Sequence, residues 1–92
     1  MELTREIVGG EPYEYVPIGR YIVRAVGVCG GRPTFKYTRI EVAGALDCVA
    51  AGESLNSIVE AYAGRVPLEA LQEAIELASR CFMGSLPELV AS

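Results

Sequence analysis

Cys29-Gly30-Gly31-Arg32-Pro33-Thr34-Phe35-Lys36-Tyr37-Thr38-Arg39-Ile40 divides the chain into two kinds of sequence. The paired glycines take positive φ without a Cβ penalty, so the chain can reverse there. Pro33 holds its own φ and pushes Arg32 into an extended conformation, so the turn exits into a strand. Thr34, Phe35, Tyr37, Thr38 and Ile40 are β-formers, and from Glu41 the pattern becomes helical. Everything before this stretch reads as extended and everything after it as helical.

Moving back towards the N-terminus, Ile18, Arg20, Ile22, Arg24 and Val26 alternate with Tyr21, Val23 and Ala25. This is a strand covered on one side and partly paired on the other. It can form a hairpin with residues 34–40, or either strand can pair with a second copy of the chain. Residues 1–17 have no clear period. Gly9, Gly10, Pro12 and Pro17 interrupt them, and Tyr13 and Tyr15 suggest a short extended piece lying on the body.

Towards the C-terminus, Val42, Ala45, Leu46, Val49 and Ala50 share one face of a first helix, which Gly52 stops. Ser54 caps a second helix whose inner face carries Leu55, Ile58, Val59 and Tyr62. A third helix starts near Pro67, turns Leu68, Leu71, Ala74, Ile75, Ala78 and Phe82 inward, and stops at Gly84. The short link Ala63 to Val66 joins the last two helices in a helix-turn-helix pattern.

The expected fold is therefore α+β and mainly α. It has an N-terminal β-arm or hairpin followed by a three-helix, homeodomain-like helix-turn-helix bundle. One domain spans 1–92, divided into an extended arm (1–40), a bundle (41–84) and a C-terminal tail (85–92).

Ninety-two residues form a small core, yet 51% of them are apolar and the mean hydropathy is +0.29. That surplus predicts a homodimer or higher oligomer. Neither a secretory signal pattern nor an apolar run long enough for a membrane span is visible, so the expected location is cytoplasmic. The three cysteines, Cys29, Cys48 and Cys81, are widely spaced, and there is no histidine. This excludes a Cys/His zinc site and suggests buried thiols acting as small hydrophobes.

The net charge of −4 conceals an asymmetry. Arg20, Arg24, Arg32, Lys36 and Arg39 fall in a stretch without acids, whereas from Glu41 onward eight acids face only Arg65 and Arg80. The outer face of the third helix carries Glu69, Gln72, Glu73, Glu76 and Arg80, which argues against its entering a DNA groove. The basic arm, with Arg24, Arg32, Lys36 and Arg39 among Tyr21, Phe35 and Tyr37, is the better surface for nucleic acid or an acidic partner. Asp47 reads as a solvated helix position or as an ion-pair partner for Arg39. No catalytic, cofactor or metal residue is assigned. Cys29 lacks a base, and the Gly-Gly-Arg-Pro turn lacks phosphate-loop spacing, so no enzyme activity is expected.

Gly30-Gly31-Arg32-Pro33, then Thr38-Arg39-Ile40, then Ala50-Ala51-Gly52-Glu53-Ser54 resemble, in that order, the uncharacterised family called domain of unknown function 433. The similarity runs from about Val28 to about Arg80. That family usually has Gly where this chain has Tyr37. Positive φ at Tyr37 would cost about 1–2 kcal/mol, so a strand running straight through is expected there. The resemblance implies a homeodomain-like fold and a VapB-type antitoxin that neutralises a PIN-like ribonuclease toxin, with repression of its own operon as a further role. The alternative is a stand-alone DNA-binding regulator. Within the antitoxin reading, the arm supplies cations to the carboxylate-rich nuclease site, and the tail residues Leu86, Leu89 and Val90 anchor the partner.

Overall fold

A computed structural model describes residues 2–89. Val90 lies outside the described residues. Four strands come first: β1 (Thr4–Val8), β2 (Glu11–Pro17), β3 (Ile22–Ala25) and β4 (Thr34–Phe35). Three helices follow: α1 (Val42–Ala50), α2 (Leu55–Ala61) and α3 (Leu68–Gly84). The strands form one antiparallel meander in the order β1-β2-β3-β4.

The expectation of a mainly helical chain, with an arm or single hairpin ahead of a homeodomain-like bundle, is thus corrected. Residues 4–35 build a four-stranded sheet, and that sheet shares its core with the helices. The physical reasons lie in β3 and in the first turn. Gly9 and Gly10 both have positive φ, 58° and 81°, directly between Val8 and Glu11. Two left-handed residues in a two-residue loop match the twist of an antiparallel pair, so the aperiodic N-terminus closes into a hairpin.

β3 buries both faces. Ile22, paired with Phe35, packs with Val42, Ala45, Ile58, Leu71 and Ala74 into the main core. Val23 and Ala25 turn the other way and pack with Tyr15 into a smaller cluster. A strand apolar on both sides needs cover on both, and Tyr13 and Tyr15 of β2 together with Val28 provide it on the second face.

β4 ends after two residues, which corrects the expected straight strand at 34–40. The Thr38 amide donates to the Phe35 carbonyl at 3.0 Å and closes a four-residue turn. Tyr37, at φ 69°, is its third residue, the position that type II turns reserve for Gly. The Thr38 hydroxyl donates to Phe35 O at 2.8 Å and accepts from Ile40 N at 3.0 Å, which locks the turn.

The helices lie where the periodicity placed them. The Ser57 amide donates to Ser54 Oγ at 3.1 Å, capping α2, and Gly52 (φ 88°) takes the left-handed residue after α1. There Glu53 N donates to Cys48 O and Gly52 N to Val49 O, a Schellman arrangement. α2 ends in the same way, but with Ala63 at φ 54°. The cysteines are less buried than expected, with Cys29 and Cys48 half-buried and Cys81 exposed. The C-terminal half of α3 also departs from expectation, since Phe82 is 64% exposed.

Two substitutions test this account by chemical denaturation. Thr34 is fully buried, and among the described residues its hydroxyl has no hydrogen-bond partner. A buried unpaired polar group costs about 1–3 kcal/mol, so Thr34→Val is expected to raise stability by about 1 kcal/mol. Ala63→Gly, which relieves a left-handed residue bearing a Cβ, is expected to be neutral or stabilising by up to about 1 kcal/mol. Destabilisation by either change would count against the local geometry.

Candidate partner-binding cleft

The four cations singled out from the sequence occupy two places. Arg24 and Arg32 lie at the turn of Cys29–Gly31, where Cys29, Gly30 and Gly31 have φ of 48°, 64° and 80°. Arg24 Nε donates to Gly31 O at 2.6 Å, and Arg32 Nε pairs with Glu41 Oε1 at 2.6 Å. The Arg32 hydrogen bond holds the Glu41 carboxyl below its usual range. Arg39 is exposed, its carbonyl accepts from Cys29 Sγ at 3.3 Å, and its guanidinium has no partner among the described residues. Asp47 is likewise exposed and makes no ion pair with it.

Lys36 stands apart from these three. Its Nζ lies 4.8 Å from the ring centre of Tyr15, 5.0 Å from that of Tyr37 and 3.4 Å from Glu6 Oε2. Tyr13 packs between the same two rings, with centroids 5.1 Å and 5.4 Å away, and its hydroxyl accepts from Tyr37 N at 3.0 Å. The Glu6 carboxylate accepts from the hydroxyls of Tyr15 and Tyr37. Those hydrogen bonds, Tyr15 first and then Tyr37, hold Glu6 below its ordinary range, with Lys36 adding to the effect. Lys36 is in turn held protonated above its ordinary range by Tyr15, Tyr37 and Glu6. A cation enclosed by rings and a carboxylate in this way fastens the β1–β2 hairpin to the turn after β4.

Beside this cluster opens a cleft of about 440 Å³ between the β4 edge of the sheet and the link from α2 to α3. Tyr21, Phe35 and Tyr37 supply its rings, and Arg20, Lys36 and Arg65 its cations. Arg20 lies with its Cζ 5.4 Å from the Tyr21 ring centre. Neither Arg20 nor Arg65 has a side-chain hydrogen bond or ion pair among the described residues. The position of Arg20 comes from α3, because Glu73 Oε2 and Oε1 accept from the Arg20 and Tyr21 amides, both at 2.8 Å. Gly19 leaves room for this contact, since a Cβ there would lie 2.5 Å from Glu73 Oε1 and would push the carboxylate off the two amides.

Sequence reasoning passed over Arg65, an isolated base in an acidic segment, and Glu73, one acid among several on α3. No local pattern marks either. The sole hint at Arg20 and Tyr21 is a cation next to an aromatic at the start of a strand. The tail residues sit beyond α3, with Leu86 half-exposed and Leu89 96% exposed. No helix among the described residues is long and apolar enough to cross a membrane.

Acidification should loosen the hairpin through Glu6. A depressed carboxyl contributes stability that is present above its ordinary value of 4.5 and lost as pH falls below it. Amide protection across β1 and β2, taken relative to the intrinsic exchange rate at each pH, is expected to fall between pH 5 and pH 3 more than protection in α1. In Glu6→Gln the hairpin should already be weakly protected at pH 7, with little further loss on acidification. An acid-insensitive wild-type hairpin would contradict this role for Glu6.

No curated protein and no solved structure matches the chain. A family model described as Protein of unknown function (DUF433) matches residues 22–78. The matched span starts at β3 and runs into α3, so it includes Lys36, Tyr37 and Arg65, whereas β1, β2 and Arg20 lie before it. This chain belongs to the DUF433 family.

Proposed function

We propose that this chain is a non-enzymatic interaction protein of the antitoxin kind, which neutralises a PIN-like ribonuclease by offering arginines to its carboxylate-rich active site. The observation that carries the reading is the pair of guanidiniums, Arg20 and Arg65, unpaired among the described residues beside one aromatic cleft. A protein of net charge −4 that leaves two arginines unpaired at a concave site suits a partner that brings the carboxylates. Arg39, exposed near the Cys29–Gly31 turn, is a third free cation. Arg24 and Arg32, which already hold the turn, contribute chiefly by shaping it.

A second reading, a DNA-binding regulator, draws on the combination of cations with Tyr21, Phe35 and Tyr37, since such rings can stack on unpaired bases. Salt separates the two. Nucleic-acid affinity falls steeply with ionic strength through counterion release, whereas a dehydrated Arg–carboxylate contact inside a protein interface falls less.

The test is inhibition of a PIN-like ribonuclease by this chain, assayed with purified proteins. Arg20→Ala with Arg65→Ala is expected to weaken inhibition at least about 100-fold, as for the loss of two charge-assisted contacts. Arg24→Ala should change it only through stability. Full inhibition by the double variant would reject the cleft as the inhibitory surface.

A further inference from the structure

α3 is longer than the body it packs on. Its N-terminal half is buried through Ala70, Leu71 and Ala74. The same apolar face continues along Ile75, Ala78, Cys81 and Phe82, yet no chain among the described residues covers it. Phe82 is 64% exposed at its end. Alongside runs a groove of about 220 Å³ with an entirely apolar lining, walled on the α3 side by Ala74, Leu77, Ala78 and Cys81 and on the sheet side by Ile18 and Ile22.

We infer that this face is the contact between two copies of the chain, with their α3 helices antiparallel about a two-fold axis near Ala78. Size and charge both favour a second copy as the occupant. Such an axis sets Ile75 of each copy over Cys81 of the other, brings the two Ala78 side chains together and turns each Phe82 to the other copy's groove, so each large side chain meets a small one or an apolar wall. A two-fold contact must be self-complementary in this sense. The charges of α3, Glu69, Glu73, Glu76 and Arg80, recur every three or four residues along a different face. Glu76 and Arg80 pair with each other and Glu73 is bound to the sheet, so no charge enters the contact. Elsewhere two copies of a chain of net charge −4 repel each other, whereas this face is neutral. A small residue at the axis, Ala78, permits close helix approach.

The contact is independent of the cleft, so the test leaves the cleft untouched. Sedimentation of the full chain at micromolar concentration is expected to show a dimer. Phe82→Glu should raise the dimer dissociation constant at least about 100-fold, because each dimer loses two buried rings. Its helical circular dichroism should be unchanged, since an exposed Phe82 contributes little to the monomer. Orientation is read by cross-linking in a background with Cys29, Cys48 and Cys81 replaced by Ser. There Ala78→Cys should give a covalent dimer on mild oxidation, and Glu69→Cys, on another face, should not. A monomeric wild-type chain, a Phe82→Glu variant as dimeric as the wild type, or equal cross-linking at both positions would each overturn the assignment.

Discussion

The Glu73 carboxylate is the joint between the helices and the sheet. It accepts from two successive main-chain amides, Arg20 N and Tyr21 N, immediately before β3. Hydrogen bonds to a charged acceptor contribute about 1.5–3 kcal/mol each when they replace water, and these two also set the direction in which the chain enters β3. The consequences reach both surfaces of interest. Arg20 and Tyr21 present their side chains to the cleft, and Ile18 and Ile22, on either side of the clasp, line the apolar groove. The absence of a side chain at Gly19 lets the carboxylate come this close.

A second fastening lies at the far end of the sheet, at Tyr37, in a turn position that favours Gly. Tyr37 keeps the positive φ that a Gly would adopt freely, so its backbone strain must be offset elsewhere. The offset is visible. Its amide reaches the Tyr13 hydroxyl, its own hydroxyl reaches Glu6, and its ring flanks Lys36. Tyr13 and Glu6 belong to the β1–β2 hairpin, outside the span matched by the family model. The side chain that strains the turn is the one the β1–β2 hairpin grips.

Charge is redistributed by the same contacts. The basic run 18–40 suggested a uniformly cationic arm, but Arg24, Arg32 and Lys36 are each engaged internally, by a carbonyl, by Glu41, and by Glu6 with two tyrosines. The cations left over among the described residues, Arg5, Arg20, Arg39 and Arg65, come from four separate segments. A partner surface in this chain is therefore a product of which arginines the fold leaves free.

The sequence by itself determined the local features. The three helices, the Ser54 cap, the Gly52 stop and the turn at Gly30-Gly31 were legible because each depends on spacing or backbone freedom within a few residues, whereas the β3–β4 pairing stood open against pairing with a second copy. Family membership was legible too, from short motifs in order. Tertiary structure alone decided the rest. Residues 1–17 have no period because β2 is covered unevenly and β1 is an edge strand, yet two glycines at the hairpin turn and the pairing with β3 bring them into the sheet. The cleft joins residues more than 40 positions apart, and the Glu73 clasp spans 53 and 52 positions. Side chains that distant meet only when the whole chain has closed, and no local pattern records the encounter. For the same reason, periodicity alone could not show that the inner face of α3 outruns its own core.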